Sequence, residues 1–225
     1  MANIFFKDTY LKDTRMGQFF FTTMSHWLYD TLLYKVITGT IWQTPLESLL
    51  DNYVDHIADE HLEVGVGSGY LLSRTLCAEG SKRLVLLDLN QRCLAKSEAL
   101  LSELSPCAVR HNILEPLPNE LAGFGSVGMN YVLHCIPGSF STNHRIFENL
   151  HRVLRDGGVL FGATLVRTPI QQTASAWLLM RLLAVMGIFH NSDHLQSELE
   201  LSLEGLFKQV SVTQLGSGLL FVAFK

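Results

Sequence analysis

The stretch His61-Leu-Glu-Val-Gly-Val-Gly-Ser-Gly-Tyr70 decides the fold of this 225-residue chain. An apolar run leads into three alternating glycines, Gly65, Gly67 and Gly69, and a helical pattern begins directly after them. Glycine lets the backbone turn sharply and approach a ligand closely, and the following helix N-terminus has free N–H groups. The stretch therefore predicts a strand, a ligand-binding turn and a helix, which together form the first unit of an α/β sheet.

Short β-rich runs alternate with helical stretches after this turn, which predicts a mostly parallel sheet with helices on both faces. One helix is predicted from Gln91 to Leu104, and another is predicted to begin at Ser141 and to end at Asp156-Gly-Gly158. Gly216-Ser-Gly218 is too short a connection for anything but an antiparallel hairpin. The predicted strands cover residues 62–66, 84–87, 108–113, 127–133, 159–166, 210–215 and 219–224.

The region before the sheet has a helical distribution of apolar residues, from Gln18 to about Ile37 and again after Pro45. We expect residues 1–60 to form an N-terminal helical cover of the active site. Residues 61–225 are expected to form the Rossmann-like ligand-binding domain, and the two parts together one structural unit. Near the other end, Asp193 and Gln196 have the spacing of a capping box that opens a further helix.

The second predicted strand ends at Asp88, about 20 residues after the glycines, where a carboxylate can accept hydrogen bonds from both hydroxyls of a ribose. Dinucleotide-binding turns have a small residue where this chain has Tyr70. Glu63 would repel a diphosphate, but it can help to hold the ammonium of an amino-acid tail, directly or through backbone and water. The pattern therefore favours a nucleoside with an amino-acid tail over a dinucleotide.

Five stretches in this order resemble the motifs of class I S-adenosylmethionine-dependent methyltransferases. The resemblance implies a Rossmann-like, seven-stranded, mostly parallel sheet with a C-terminal antiparallel hairpin. It also implies S-adenosylmethionine as cofactor and S-adenosylhomocysteine as product, with no metal. The stretches are Glu63-Val-Gly-Val-Gly-Ser-Gly69, Leu86-Leu-Asp88-Leu-Asn90, Arg110-His-Asn112-Ile113-Leu-Glu-Pro116, residues 124–134 and Leu154-Arg-Asp-Gly157-Gly158-Val-Leu160.

The same resemblance implies which residues bind the cofactor. One position departs from the family's pattern, because an acidic residue usually accepts a hydrogen bond from adenine where this chain has Asn112. An amide oxygen can still accept that bond, without the assistance of a charge. The expected cofactor-binding residues are Glu63, Gly65, Gly67, Gly69, Asp88, Leu89, Asn112, Ile113, Asn130, Tyr29 and Trp42.

Two residues near the end of the fourth predicted strand are candidates for the chemistry. His134 is the candidate base, since its ordinary pKa lies near neutrality, and Asn130 can hydrogen-bond the acceptor or the cofactor. The alternatives are a histidine that hydrogen-bonds a loop backbone and an asparagine that caps the strand end. Candidate contacts to the methyl acceptor are His26, His134, Trp177, Met180 and Phe189, for which core packing is the alternative.

Composition restricts the partners. The net charge of −4, with 17% charged residues, provides no basic surface for nucleic acid. The apolar stretch from Ala174 to Phe189 contains Arg181 and is shorter than the about 20 residues that span a membrane. The N-terminus has no signal-peptide pattern, and the four cysteines form no CxxC pair, so we expect a cytoplasmic protein with reduced thiols. His190 and His194 need not share a helix face, so no metal site is expected.

The predicted function is methyl transfer from S-adenosylmethionine to the oxygen, nitrogen or carbon of a small, partly apolar acceptor, by a monomer or homodimer. Met129–Gly138 and Gly187–Asn191 resemble small-molecule methyltransferases of microbial secondary metabolism. Two alternatives remain. One is a methyltransferase-like protein that binds the cofactor without turnover, and the other is a nicotinamide-dependent oxidoreductase.

Overall fold

The structure is a computed structural model that describes residues 31–75, 82–140, 143–167, 173–190 and 196–225. Within these ranges seven strands form one sheet in the order β3-β2-β1-β4-β5-β7-β6. β7 runs antiparallel to both of its neighbours, and the other strand pairs are parallel. The predicted Rossmann-like sheet with its C-terminal hairpin is therefore confirmed. The strands are β1 (Glu60–Val64), β2 (Arg83–Asp88), β3 (Cys107–Arg110), β4 (Phe124–Asn130), β5 (Leu154–Leu165), β6 (Gln209–Leu215) and β7 (Gly218–Phe224).

Helices cover both faces of the sheet. One buried apolar cluster joins residues of α4 and α6 to one face, and a second joins residues of α1, α2 and α3 to the other. Tyr53 of α1 packs edge-on against Phe161 of β5, with ring centroids 5.0 Å apart. The helices are α1 (Leu46–His56), α2 (Tyr70–Thr75), α3 (Gln91–Leu100), α4 (His144–Val153), α5 (Ala174–Val185) and α6 (Gln196–Glu204), with a π-helix at Thr31–Ile41 and 3-10 turns at Ser102–Leu104 and Leu133–Cys135.

Local hydrogen bonds explain where several helices begin. Asn90 caps α3 by accepting a hydrogen bond from the Arg92 N–H at 3.0 Å. Thr173 caps α5 in the same way, at 3.1 Å from the Ala176 N–H. Of the helix predicted from Gln18, the described part is the π-helix. Ser141 and Asp193, predicted to open two later helices, lie outside the described residues.

The helix predicted to end at Asp156-Gly-Gly158 is shorter than expected. α4 ends at Val153, and residues 154–158 already belong to β5. The cause is the C-terminal residue, because Gly157 donates to the Lys225 carbonyl and Lys225 donates to the Gly158 carbonyl. These backbone bonds extend the strand into the region where the sequence indicated a helix end and a turn.

Three parallel strands end earlier than predicted, and all three ends lie at the same edge of the sheet. β1 ends before Gly65, which has a φ of +69°. β4 ends before Tyr131, which has a φ of +57°. β3 ends at Arg110, and Asn112 then closes a tight turn on Leu114. The shorter strands leave room at their carboxyl ends for a crevice.

The apolar stretch that begins at Ala174 forms α5, which is 12 residues long. In the part of the chain that the structure describes, no helix has the length and hydropathy of a membrane span.

Replacement of Lys225 by alanine is expected to lower the free energy of unfolding by about 1–2 kcal/mol. Its ammonium donates to the carbonyls of His151 and Leu154, at 2.9 and 2.7 Å, and so satisfies the C-terminal end of α4. Urea unfolding measures the loss. The exposed Lys208 is the matched control, and a Lys208→Ala variant with an equal loss would contradict this explanation.

Candidate active site

The glycine turn after β1 is held by its neighbours in the sheet. Gly65 donates to the Leu87 carbonyl at 2.7 Å, and a Cβ at position 65 would overlap the Val132 side chain. A Cβ on Gly69 would lie 3.1 Å from Ser97 of α3. At Gly67, whose φ is +55°, the nearest atom to such a Cβ is the Gly65 carbonyl oxygen at 4.0 Å. Two glycines therefore permit close packing, and the third leaves the surface of the turn open.

Asp88 closes β2 beside this turn. Its carboxylate accepts hydrogen bonds from the N–H groups of Asn90, at 2.8 Å, and Gly67, at 3.3 Å. Burial nevertheless raises the pKa of Asp88 from 3.8 to about 6, and the backbone hydrogen bonds only partly oppose that effect. The carboxylate is thus desolvated more than its protein partners offset, which is the state expected of a group that accepts further hydrogen bonds from a ligand.

Asn112 and Leu89 lie at the neighbouring strand ends. Asn112 accepts a hydrogen bond from the Leu114 N–H at 3.1 Å, so its carbonyl oxygen keeps a second lone pair for a ligand. Arg110 donates from Nε to the Leu89 carbonyl at 3.1 Å and holds the loop after β2. Ile113 is buried and packs in the core below.

Asn130 ends β4, and Tyr131 follows it at the edge of the sheet that carries the glycine turn. Asn130 is buried and donates from Nδ2 to the Tyr53 hydroxyl at 3.0 Å. Tyr131 has left-handed backbone geometry, which is unusual for an aromatic residue. Its ring stacks on Tyr34 of the π-helix, and Tyr34 in turn stacks on Tyr70, with centroids 6.3 and 4.9 Å apart.

The sequence did not indicate this aromatic stack or the part played by Tyr53. In the sequence, Tyr70 indicated only that a bulky residue follows the glycines, where dinucleotide-binding turns have a small one. A positive φ at a tyrosine leaves no mark in the sequence pattern, so Tyr131 had no signal. The spacing of apolar residues after Pro45 predicted a helix there, but nothing in that spacing pointed to Tyr53 or to its buried acidic partner.

Glu63 does not face the crevice directly. Its carboxylate is 4% exposed and accepts hydrogen bonds from the Tyr53 hydroxyl, at 2.6 Å, and from His61 Nε2, at 3.0 Å. Both carboxylate oxygens thus have protein donors. Of the two routes predicted from Glu63 to a ligand ammonium, the indirect one, through the surrounding groups, fits this geometry better.

His134 lies in the 3-10 turn after β4 and is buried. Its Nδ1 accepts a hydrogen bond from the Leu165 N–H at 3.2 Å, which leaves the proton of the neutral ring on Nε2. Burial lowers the pKa of His134 to about 3. The ring is thus a poor proton acceptor in this environment, and its Nδ1 also lies 3.2 Å from the Thr164 hydroxyl oxygen.

An apolar cluster lies beside His134. It contains Trp42, Met180 and Phe189, and the Phe189 ring is 4.4 Å from the His134 ring. Trp42 Nε1 and His190 Nε2 are buried there without a hydrogen-bond partner among the described residues. The cluster therefore combines an apolar wall with polar atoms that can still bind a ligand.

The other predicted acceptor contacts do not join this cluster. Trp177 is 42% exposed, and the Arg181 guanidinium lies over its ring at 5.3 Å from the centroid, so its contact with the acceptor stays a prediction. Trp177 lies on the outer face of α5. The sequence of α5 is apolar on most sides, so it did not indicate which face of the helix would point inward. His26 and Tyr29 lie outside the described residues.

The described residues include no group of three or more histidine, cysteine or acidic side chains placed to hold a metal ion. His190 donates its backbone N–H to the His134 carbonyl. Asp193 and His194, which follow it in the sequence, lie outside the described residues.

Known proteins share this fold and much of this sequence. The family model described as a methyltransferase domain matches residues 62–160. Methyltransferase ctvB of Aspergillus terreus is 32% identical over 222 residues, which cover 96% of both chains. Demethylluteothin O-methyltransferase of Streptomyces thioluteus is 33% identical over 84% of this chain and 82% of its own. The solved DhpI–SAH complex has the same fold, with a TM-score of 0.68 at 14% identity over 94% of this chain and 96% of that one.

Alanine at Gly65 and at Gly67 should have different effects. Gly65→Ala is expected to destabilise the fold by about 2 kcal/mol or more, because its Cβ overlaps Val132 in addition to the left-handed strain. Gly67→Ala is expected to cost only the strain, about 1 kcal/mol, but to weaken S-adenosylhomocysteine binding at least about tenfold by filling the open side of the turn. Thermal unfolding and isothermal titration calorimetry separate the two effects. Unchanged affinity in Gly67→Ala would place the ligand elsewhere.

Proposed function

Since the chain belongs to the class I S-adenosylmethionine-dependent methyltransferases, we propose that it methylates a small, partly apolar molecule in the crevice at the carboxyl ends of β3, β2, β1 and β4. The relatives methyltransferase ctvB and demethylluteothin O-methyltransferase support an acceptor of this size class. When bound, S-adenosylmethionine supplies a methyl group on a sulfonium, which is already activated for transfer.

One observation carries the proposed binding mode. The strand order places Asn112, Asp88, the glycine turn and Asn130 in a row along one edge of the sheet. That row matches the order of adenine, ribose and amino-acid tail along the cofactor. Asp88 would accept hydrogen bonds from the ribose hydroxyls, and Asn112 with Ile113 and Leu89 would border the adenine. Glu63 would act on the tail only through other groups.

The acceptor would lie on the other side of the tail, against the apolar cluster of Trp42, Met180 and Phe189. We expect Trp42 to serve this side and not the cofactor, because its ring lies 6.3 Å from Phe189. The unpartnered Trp42 Nε1 can donate a hydrogen bond to an oxygen of such an acceptor.

The environment of His134 gives it a positioning role in this proposal. A neutral ring with a pKa of about 3 removes protons poorly, but its Nε2–H can orient an acceptor oxygen. Alignment of the acceptor with the methyl group and exclusion of water from the crevice would then supply most of the rate enhancement. Exclusion of water would be helped by the stacked rings of Tyr34, Tyr70 and Tyr131, which would cover the glycine turn.

The predicted cellular context stays a proposal. Cys93, Cys107 and Cys135 are free thiols, as expected in the cytoplasm. α5 exposes apolar side chains beside Trp177, including Leu178 and Val185, and this face suits the homodimer that we predict as one of two oligomeric states. Residues 1–60 are proposed to cover the crevice, and the acidic net charge supports a small molecule over nucleic acid.

Ligand-induced stabilisation and product analysis test the function. A hundredfold excess of S-adenosylhomocysteine over its dissociation constant should raise the melting temperature by roughly 5–10 °C, whereas NAD should have no effect. Incubation with S-adenosylmethionine and metabolite extracts should give a product heavier by one CH₂ unit in mass spectrometry. A shift with NAD would support an oxidoreductase. Cofactor binding without any product across broad extracts would support a binding protein without turnover.

Asp88→Asn should reduce the pH dependence of stability and weaken cofactor binding. Because burial raises the pKa of Asp88 from 3.8 to about 6, the folded wild type binds more protons than the unfolded chain between these values, and its stability falls as pH rises through that window. The variant has no ionisable group at this position, so its free energy of unfolding should fall about 1–2 kcal/mol less than that of the wild type between pH 4 and pH 8. Urea unfolding at both pH values measures this difference.

Calorimetry with S-adenosylhomocysteine completes the test. The affinity of Asp88→Asn should fall at least about tenfold, because the amide offers one acceptor oxygen where the carboxylate offers two. The affinity of the wild type should fall as pH drops below about 6, when the carboxylate becomes protonated. An unchanged affinity in the variant would contradict the ribose assignment.

A further inference from the structure

A chain of buried polar groups runs through the layer between α1 and the sheet. The Ser126 hydroxyl accepts a hydrogen bond from the Ala58 N–H at 2.8 Å and lies 2.8 Å from His61 Nδ1. His61 Nε2 lies 3.0 Å from one oxygen of Glu63. These groups are fully or almost fully buried, so the negative charge of Glu63 lies in the interior of the protein.

The chain continues from Glu63 to the crevice. The Tyr53 hydroxyl donates to the second oxygen of Glu63 at 2.6 Å, and Asn130 Nδ2 donates to the Tyr53 hydroxyl oxygen at 3.0 Å. β4 has a glycine at position 128, where a Cβ would overlap the Glu63 carboxylate. Asn130 is the last residue of β4 and therefore stands at the carboxyl edge of the sheet.

The hydrogen-bond donors in this chain all point towards Glu63, from both of its sides. A carboxylate only accepts hydrogen bonds, so both His61 and Tyr53 must donate to Glu63. The Tyr53 hydroxyl has a single proton, which is committed to Glu63, and it can only accept a bond from Asn130. Burial, together with the charge and the hydrogen bond of Glu63, raises the pKa of Tyr53, so the phenol keeps this proton. The Asn130 amide therefore has one allowed orientation, with Nδ2 inward and Oδ1 outward.

We propose that Tyr53 is a positioning residue for methyl transfer, which holds the Asn130 amide so that its Oδ1 accepts a hydrogen bond from the ammonium of the cofactor's amino-acid tail. The inference rests on the proposed function and deepens it. It identifies the indirect route by which Glu63 favours a positively charged tail. The charge of Glu63 polarises the hydroxyl of Tyr53 and, through it, the amide of Asn130.

The position of Asn130 in the row of strand ends selects the ammonium as the group that it binds. Asp88 marks the ribose, and the next strands across the sheet are β1 and β4. Val132, two residues after Asn130, touches the glycine turn at Gly65. The part of the cofactor that extends from the ribose past this turn is the amino-acid tail. An outward carbonyl oxygen, backed by a buried negative charge, suits a cation there.

Tyr53→Phe tests the proposal, since it removes one oxygen and keeps the ring against Phe161. Two ligands are compared by calorimetry: S-adenosylhomocysteine, which has the ammonium, and 5′-methylthioadenosine, which lacks the amino-acid tail. The variant should bind S-adenosylhomocysteine about tenfold more weakly and 5′-methylthioadenosine as well as the wild type. In turnover assays the KM for S-adenosylmethionine should rise, with little change in kcat.

Asn52→Ala is the matched control. Asn52 precedes Tyr53 in α1 and donates to the Gly162 carbonyl at 3.4 Å, without any bond to the polar chain. The control removes a buried hydrogen bond from the same helix and should leave the affinity for both ligands unchanged. A general loosening of α1 would instead affect both variants and both ligands.

Two further variants keep the proposal testable if Tyr53→Phe fails to fold. Glu63→Gln preserves volume but gives position 63 a hydrogen-bond donor. The Tyr53 hydroxyl can then accept a hydrogen bond from position 63 and donate its proton to Asn130, so the Asn130 amide can rotate by 180°. Asn130→Ala removes the outward oxygen itself. Each variant should lose affinity for S-adenosylhomocysteine selectively, and Asn130→Ala combined with Tyr53→Phe should lose no more than Asn130→Ala alone.

The outcomes separate this inference from the proposed function. A wild type that binds neither ligand would overturn the function and the inference together. A wild type that binds both ligands, with variants that lose both equally or neither, would overturn the inference alone. Selective loss of the ligand with the tail, in variants whose melting temperature stays above the assay temperature, would support it.

Discussion

The site depends on the close approach of two segments of the chain, the turn at Gly65 and the residues around Val132. The turn after β1 must lie against Val132, which follows β4, and there is no space for a side chain between them. The hydrogen bond from Gly65 to the Leu87 carbonyl joins the same turn to the end of β2. Three strand ends are thereby fixed relative to one another. Asp88 and Asn130 stand on either side of the turn because this contact permits it.

Local chemistry explains which parts of the fold could be predicted from the sequence. The glycines, Asp88 and the Gly216-Ser-Gly218 hairpin are local patterns, and the structure has the strands and turns that they predicted. The end of α4 was missed because it depends on Lys225, which is far away in the sequence. The backbone partner of His134, Leu165, is also far away in the sequence, and the bond from Tyr53 to Glu63 depends on how α1 packs against the sheet. The residue types of His134 and Glu63 suggested roles, but only packing determines their protonation and direction.

His134 illustrates how burial changes the meaning of a residue. An exposed histidine at a crevice would be a plausible base, since its ordinary pKa lies near neutrality. In this fold the ring is enclosed by Phe189 and Tyr131, and desolvation lowers its pKa to about 3. The same aromatic packing that makes the crevice apolar thus removes the basicity of its histidine. A crevice of this kind suits an acceptor that reacts through alignment.

Two acidic residues close to the glycine turn have different environments. The Glu63 carboxylate accepts a hydrogen bond on each oxygen, from Tyr53 and from His61. The Asp88 carboxylate is desolvated beyond what its backbone partners offset, as its raised pKa indicates. A fold optimised only for stability would not keep such a group. In the proposed binding mode, ribose hydroxyls would donate further hydrogen bonds to Asp88, and cofactor binding would then offset the desolvation of its carboxylate.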